Sequence, residues 1–359
     1  MSNEKTCPVH MSVKMVHKLE PVQQGATHAT GRQGMVSAVV ALFEQAALTH
    51  DLQAVEALLL ERAASRVELI RAASTHTIRS GGKRLRAALA LLAARLGDYA
   101  LERVIHAAAA VELIQAASLV HDDLVDQAAR RRGRVTVHAR WDNDVALMVG
   151  DYFFALAADE MARSPDPRII TFYAHAVRTV VEGELSPVTI LEPTDQALAQ
   201  YYYKTGAKTA ALFEAACKAG MAAGGGTDAQ IVALGRYGFD LGMAFQIIDD
   251  ILDFTGDEQT LGKPAGNDLR QGTITLPLIL AMERTASPRL RNLIDIAAPS
   301  DAQVQDAISE VAAAGGVAAA NAEAQRFIRQ AIGHLADFPP SPALHALARL
   351  ANFVVEREA

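Results

Sequence analysis

Six aspartates repeat one spacing in two places: Asp122, Asp123 and Asp126, then Asp249, Asp250 and Asp253. Each trio sits in an apolar run of helical period, where residues three or four apart share a face. Asp122 therefore lies over Asp126, and Asp249 and Asp250 lie beside Asp253. Carboxylates held this close repel unless cations join them, so each trio reads as a hard-oxygen metal site. Mg²⁺ takes a few carboxylates together with waters and substrate phosphates in preference to a closed protein cage. Two such half-cages facing one another would grip a diphosphate between them.

The first trio leads into Arg130-Arg131-Arg132-Gly133, whose guanidinium groups suit bidentate phosphate binding. A single Asp-Asp-x-x-Asp followed by arginines also describes a solvated helix end, since short motifs match by chance. The second trio argues against that reading. It follows Phe245-Gln246-Ile247-Ile248, and unpaired charge in so apolar a helix carries a large cost. Gln246 shares a face with Asp249, and a buried amide there needs a specific partner. His121 borders the first trio but reads as a packed histidine, because Mg²⁺ prefers oxygen. Cys217 reads as a small core residue, and Tyr201, Tyr202 and Tyr203 as side chains whose burial sets Lys204 in place.

Helices must carry these groups. From Met35 onward, Ala- and Leu-rich segments place apolar residues three and four apart, and no alternating strand pattern stands out. The predicted fold is all-α, with roughly a dozen helices. Breaks fall at Gly81-Gly82, Gly97-Asp98, Ser164 to Pro167, Ser186 to Pro193, Gly224 to Asp228, Thr255 to Gly272 and Gly315-Gly316. None reads as an interdomain linker, so residues 35–359 are expected to form one domain behind a disordered extension over 1–34. The loop after the second trio is long for a compact fold and is a candidate lid.

Composition narrows the function classes. The chain has 359 residues, 50% of them hydrophobic, enough for a substantial core. A net charge of -7 offers no broad basic surface, so nucleic acid is not an expected partner. Two cysteines in unrelated contexts indicate neither a disulfide framework nor a metal set, and a cytoplasmic setting is expected. The longest apolar stretch, Val104 to Val120, is interrupted by His106, Glu112 and Gln115, so no membrane-spanning segment is predicted.

From about Ala38 onward the chain resembles the trans-isoprenyl diphosphate synthases, the polyprenyl synthetase family. Gly81-Gly82-Lys83-Arg84-Leu85-Arg86 is similar to that family's first basic motif, and Asp122 to Gly133 to its first aspartate-rich motif. Lys204-Thr205-Gly206 resembles its Lys-Thr element, and Phe245 to Asp253 its second aspartate-rich motif. Gly262-Lys263-Pro264 and Asp268-Leu269 follow in order. The resemblance implies a helical bundle of the isoprenoid synthase type with a central cavity. It also implies a homodimeric enzyme joining isopentenyl diphosphate to an allylic diphosphate, with about three Mg²⁺ ions per site.

By the same resemblance, Arg131, Lys204 and Lys263 contact the allylic diphosphate. Lys83, Arg86 and Arg132 hold isopentenyl diphosphate, and Gln246 with Thr205 stabilises the allylic cation. The departed diphosphate itself is the expected base for the final proton. Gln115 stands where the family often has a histidine that binds isopentenyl diphosphate, and its amide still donates a hydrogen bond. Asn267 and Thr273 replace common lysines, and the segment after Glu184 lacks an expected glutamine.

The growing chain is expected to run back along the helix of the first trio. Ala117 and Ser118 are small where short-chain relatives place an aromatic floor, followed by Ile114, Val111 and Ala107. A helical turn rises about 5.4 Å, close to one extended isoprene unit, so a product of C20 or longer is expected, toward the longer range. Geranylgeranyl diphosphate synthase is the nearer alternative. A terpene cyclase is disfavoured by the all-Asp second trio, and a non-catalytic subunit by the survival of both trios. Release of a long product implies transient membrane contact, although no amphipathic basic helix marks an exit.

Overall fold

The computed structural model describes residues 41–131, 133–256, 265–296 and 298–356. The expected extension over 1–34, Arg132, and residues 257–264 of the candidate lid, Lys263 among them, lie outside the described residues. After a helical stretch over 41–45 come α1 (Thr49–Arg62), α2 (Glu68–Arg79), α3 (Leu85–Ala94) and α4 (Leu101–Val125). A short hairpin follows, β1 (Arg130–Arg131) and β2 (Arg134–Val135), then α5 (Val137–Arg140), α6 (Asn143–Ala162) and α7 (Arg168–Glu184). Next come α8 (Thr194–Thr205), a π-helical segment (Gly206–Ala210), α9 (Ala211–Ala223) and α10 (Asp228–Thr255). The remainder comprises α11 (Asn267–Arg270), α12 (Leu276–Thr285), α13 (Pro288–Leu293), α14 (Asp301–Ala313), α15 (Gly316–Gly333) and α16 (Pro342–Val355).

The fold is all-α, as the period-3.6 pattern predicts. Its one departure among the described residues is the hairpin, in which Arg130 pairs with Val135 and Arg131 with Arg134. Strands of two residues are too short to show alternation, so sequence pattern could not reveal them.

The centre is built from α4, α9 and α10, and small residues let these helices approach closely. A Cβ on Gly220 of α9 would stand 2.1 Å from the Ala90 carbonyl oxygen of α3, and one on Gly238 of α10 would stand 2.6 Å from that of Phe213. On α4, Ala107 to Ala110 are fully buried, and α6 packs against that helix. The Tyr173 hydroxyl of α7 donates to the Ala107 carbonyl at 2.8 Å. Among the described residues, two helices, α4 and α10, are long and apolar enough to cross a membrane by length and composition. Both are mostly buried inside the fold, and both carry aspartate trios near their ends.

Glu112, which interrupts the apolar run, is a buried tie on α4. It accepts from the Ala87 backbone N–H at 3.1 Å and pairs with Arg84 at 3.4 Å. Arg84 also reaches Glu56 of α1 at 2.7 Å and the Ile78 carbonyl at 2.9 Å. Its φ of 48° turns the chain into α3. Arg84 thus braces the connection between α2 and α3, with Lys83 just before it and Arg86 in the first turn of α3.

Candidate active site

Both trios lie at helix C-termini. Asp122 and Asp123 occupy the last turn of α4 with Asp126 as its cap, while Asp249, Asp250 and Asp253 fall in the last two turns of α10. A helix C-terminus already carries partial negative charge, and neither helix has a basic residue in its final turn. The sequence therefore concentrates negative potential twice with no local compensation.

Within each trio the carboxylates divide their work. Asp123 is buried, and its Oδ1 accepts from Arg131 Nε at 2.6 Å. Asp250 is buried and engaged at both oxygens, by the Tyr201 hydroxyl at 2.6 Å and by Gln246 Nε2 at 2.9 Å. Asp253 is buried and accepts from the Asp268 backbone N–H at 2.8 Å, while its carbonyl receives the Gly266 N–H. The end of the candidate lid loop thus docks back onto the second trio.

Of the six carboxylates expected to ligate metal, Asp123 and Asp250 accept hydrogen bonds from protein donors, which leaves each oxygen a further lone pair for a cation. Among the described residues, no group of three or more His, Cys, Asp or Glu side chains is arranged to hold an ion. Asp122 and Asp126, four apart on one face, and Asp249, exposed on α10, suit a hard cation completed by phosphate oxygens.

A basic group couples the trios. Lys208 of the π segment pairs with Glu184 of α7 at 2.7 Å and acts electrostatically on Asp122 and Asp126. Burial by itself would lower the Lys208 pKa, but Glu184, Asp122 and Asp126 raise it overall. Its neighbour Thr209 donates to Gln246 Oε1 at 2.8 Å, and Gln246 in turn donates to Asp250. One dipeptide therefore addresses both acidic clusters.

The Lys-Thr pair expected at 204–205 is not the one that the structure joins to Gln246. Lys204 makes no ion pair with either trio among the described residues, and Thr205 is buried with its side chain bonded to Tyr201. The partner of Gln246 is Thr209. The signal was present in the sequence, since Lys-Thr occurs at 204–205 and again at 208–209. Four residues apart on a helix, the two pairs share a face, and periodicity alone could not choose between them. Tyr201 and Glu184 were also missed; one reads as core packing and the other as an ordinary helix end.

The other expected residues fall as follows. Arg86 lies over the Phe213 ring at 4.7 Å, and Phe213 meets Phe245, the neighbour of Gln246, at 5.4 Å between centroids. The basic loop therefore borders the aromatic wall beside the second trio. Gln115 and Ser118 are half-buried on α4, while Ile114 and Ala117 are buried. His121 ties α4 to α6 through the Leu147 carbonyl at 3.1 Å and a tilted ring contact with Phe154 at 5.9 Å between centroids. Gly150 leaves the room that His121 occupies.

Burial pushes the Asp122 carboxyl up to about 6, with Glu184 and Asp126 adding to the rise and Lys208 and Arg131 opposing it. Burial likewise pushes Asp250 up to about 7, opposed by its bonds from Tyr201 and Gln246. A raised carboxyl binds its proton more tightly folded than unfolded, so its stabilising contribution is full at low pH and is lost as pH rises through the folded value. Asp122→Asn is therefore expected to melt above wild type in chelator once pH exceeds about 6, the difference closing below about pH 4. Thermal unfolding across pH checks this, and equal melting temperatures at pH 8 would contradict it.

The helical fold and the paired acidic clusters define an enzyme that transfers prenyl groups. A polyprenyl synthetase family model matches residues 67–311. Component 2 of the heptaprenyl diphosphate synthase of Geobacillus stearothermophilus is 39% identical over 313 residues, covering 87% of this chain and 97% of the relative. A polyprenyl synthase from Caulobacter crescentus, solved with calcium and isoprenyl diphosphate, superposes with a TM-score of 0.82 at 36% identity, covering 90% of this chain and 98% of that one. A decaprenyl diphosphate synthase from Rhodobacter capsulatus gives the same TM-score and identity, covering 89% and 99%. The chain belongs to the polyprenyl synthetase family.

Proposed function

We propose that the protein condenses isopentenyl diphosphate with an allylic diphosphate, building an all-trans polyprenyl diphosphate of C20 or longer. The observation that carries this reading is the Lys208-Thr209 dipeptide, joined on one side to the first trio and on the other, through Gln246, to the second. Asp122, Asp126 and Asp249 are the proposed holders of divalent cations, with Mg²⁺ and about three ions per site the reading that hard carboxylate oxygen favours. Such ions, when bound, supply positive charge to the leaving diphosphate.

The chain's own residues do the rest. Lys208 and Arg131, with Lys263 by resemblance, neutralise the allylic diphosphate, and Lys83, Arg86, Arg132 and Gln115 orient isopentenyl diphosphate. The Thr209–Gln246 pair offers oxygen dipoles to a developing allylic cation. Phe213 and Phe245 exclude water from it. The proton lost at the end passes to the released diphosphate.

Exposed apolar side chains on α6 and α7, Leu147, Met148, Ile170 and Val181, support a homodimer joined across those helices. A cytoplasmic enzyme touching membrane during release of a long product completes the reading. The word component in the heptaprenyl relative's name favours a second reading, a subunit that works only with a different partner chain.

The test is to incubate the purified protein alone with Mg²⁺, isopentenyl diphosphate and labelled farnesyl diphosphate. An elongated diphosphate supports the reading; no product under any metal concentration sinks it. The same assay checks product length. Ala117 is buried one turn and a residue before Asp122, so Ala117→Phe is expected to shorten the product by at least one unit on chromatography. An unchanged distribution would reject this path along α4.

A further inference from the structure

We propose that His76 of α2 is a positioning residue that clamps the arginine hairpin, and that only its neutral imidazole can do so. The inference rests on the function proposed above for the choice of substrate readout, but its geometry stands apart from that reading.

A two-stranded hairpin is marginal by itself, and this one bears Arg130, Arg131 and Arg134. It is tied down at three places. Arg131 is bonded to Asp123 at 2.6 Å. Thr136, just past β2, donates its hydroxyl to the Ala128 carbonyl at 2.7 Å. The third tie comes from far away in sequence: His76 Nε2 lies 2.8 Å from the Val135 carbonyl oxygen. Val135 is the residue paired with Arg130 in the hairpin register.

The second ring nitrogen decides the proton's place. His76 Nδ1 lies 3.2 Å from Arg140 Nη1. A guanidinium group can only donate, so Nδ1 accepts, and the single proton sits on Nε2, where it is donated to Val135. Stacking over Trp141 at 4.8 Å favours this placement of the exposed Arg140 guanidinium, and His76 meets the edge of the same ring at 5.7 Å. A second proton would place an N–H against an N–H. The charged groups facing the ring are Arg140 of α5 and Arg134 of β2, both cations. Burial, opposed by the Val135 bond and joined by these two cations, holds the imidazole below its ordinary range.

The consequence reaches the binding residues. Helix α2 ends at Arg79 and runs into the short connection carrying Lys83, which leads to Arg86 at the start of α3, so the His76 tie joins the hairpin carrying Arg131 to the segment carrying Lys83 and Arg86. The two basic segments assigned to the substrate diphosphates are thereby held in one register. Loss of the clamp is expected to weaken substrate binding more than it slows the chemical step.

The experiment compares full-length wild type, His76→Gln and His76→Ala, each checked for helix content by circular dichroism. Glutamine can donate to Val135 and accept from Arg140 without titrating; alanine can do neither. The first readout is trypsin cleavage after Arg130, Arg131 or Arg134 in native protein at pH 8 and at pH 5, below the lowered range of the imidazole. The second is KM for isopentenyl diphosphate against kcat. We expect His76→Ala to be cut about threefold or more faster in the hairpin and to raise KM about threefold or more, with kcat within about twofold, as loss of one solvent-accessible hydrogen bond implies. His76→Gln should stay near wild type at pH 8. On lowering the pH, wild type should become more cleavable relative to His76→Gln. Equal cleavage of wild type and His76→Ala, or an identical pH response in wild type and His76→Gln, overturns the clamp. Cleavage is read without substrate, so a protein that never turns over would count against the proposed function while the cleavage comparison still decides His76.

Discussion

Asp122→Ala and Asp249→Ala are each expected to lower kcat by more than about a thousandfold, the scale lost when a site's main charge stabilisation is removed. Both carboxylates sit at the negative end of a long helix with no basic residue in its last turn, which leaves external cations as their natural partners. The loss should not come from misfolding. Burial holds the Asp122 carboxyl up at about 6, so its ionised form strains the metal-free protein and truncation should keep or raise the melting temperature. Steady-state kinetics together with thermal unfolding separate the two causes. A variant that keeps more than about a tenth of wild-type kcat would remove Asp122 or Asp249 from the metal set.

Lys208→Ala is expected to reduce kcat/KM about a hundredfold or more, while Lys204→Ala stays within about threefold. The difference follows from placement. Lys208 is paired with Glu184 at 2.7 Å and acts on Asp122 and Asp126, whereas Lys204 makes no ion pair with either trio among the described residues. Removing Lys208 would leave three carboxylates without their nearest cation and a substrate diphosphate without its ammonium partner. Lys208→Arg should recover part of the loss, since charge survives and geometry does not. Equal losses from Lys204→Ala and Lys208→Ala would return the assignment to the earlier lysine.

The Lys-Thr pair shows where reading a linear chain stops. Helical periodicity assigns a residue to a face, and both pairs fall on the same face. A π segment at Gly206–Ala210 then adds a residue to one turn, which shifts Lys208 and Thr209 relative to any regular projection. Glu112 is a second example. In sequence it is a polar interruption of an apolar helix; in the fold it accepts an N–H from α3 and a guanidinium from a loop 28 residues away. His76 is a third, a residue without a motif whose partner lies 59 positions further on.

The all-helical architecture, the two acidic clusters and the basic segments around them were legible because each is local. Apolar spacing sets helical faces, and three carboxylates within five positions repel wherever the chain goes. The division of labour inside each trio was not legible. Asp123 serves Arg131, Asp250 serves Tyr201 and Gln246, and Asp122 faces Lys208. Those choices arise where α4, α7, the π segment and α10 meet. A buried polar atom must satisfy itself with whichever donor or acceptor the other helices bring within about 3 Å, and chain distance says nothing about which that will be.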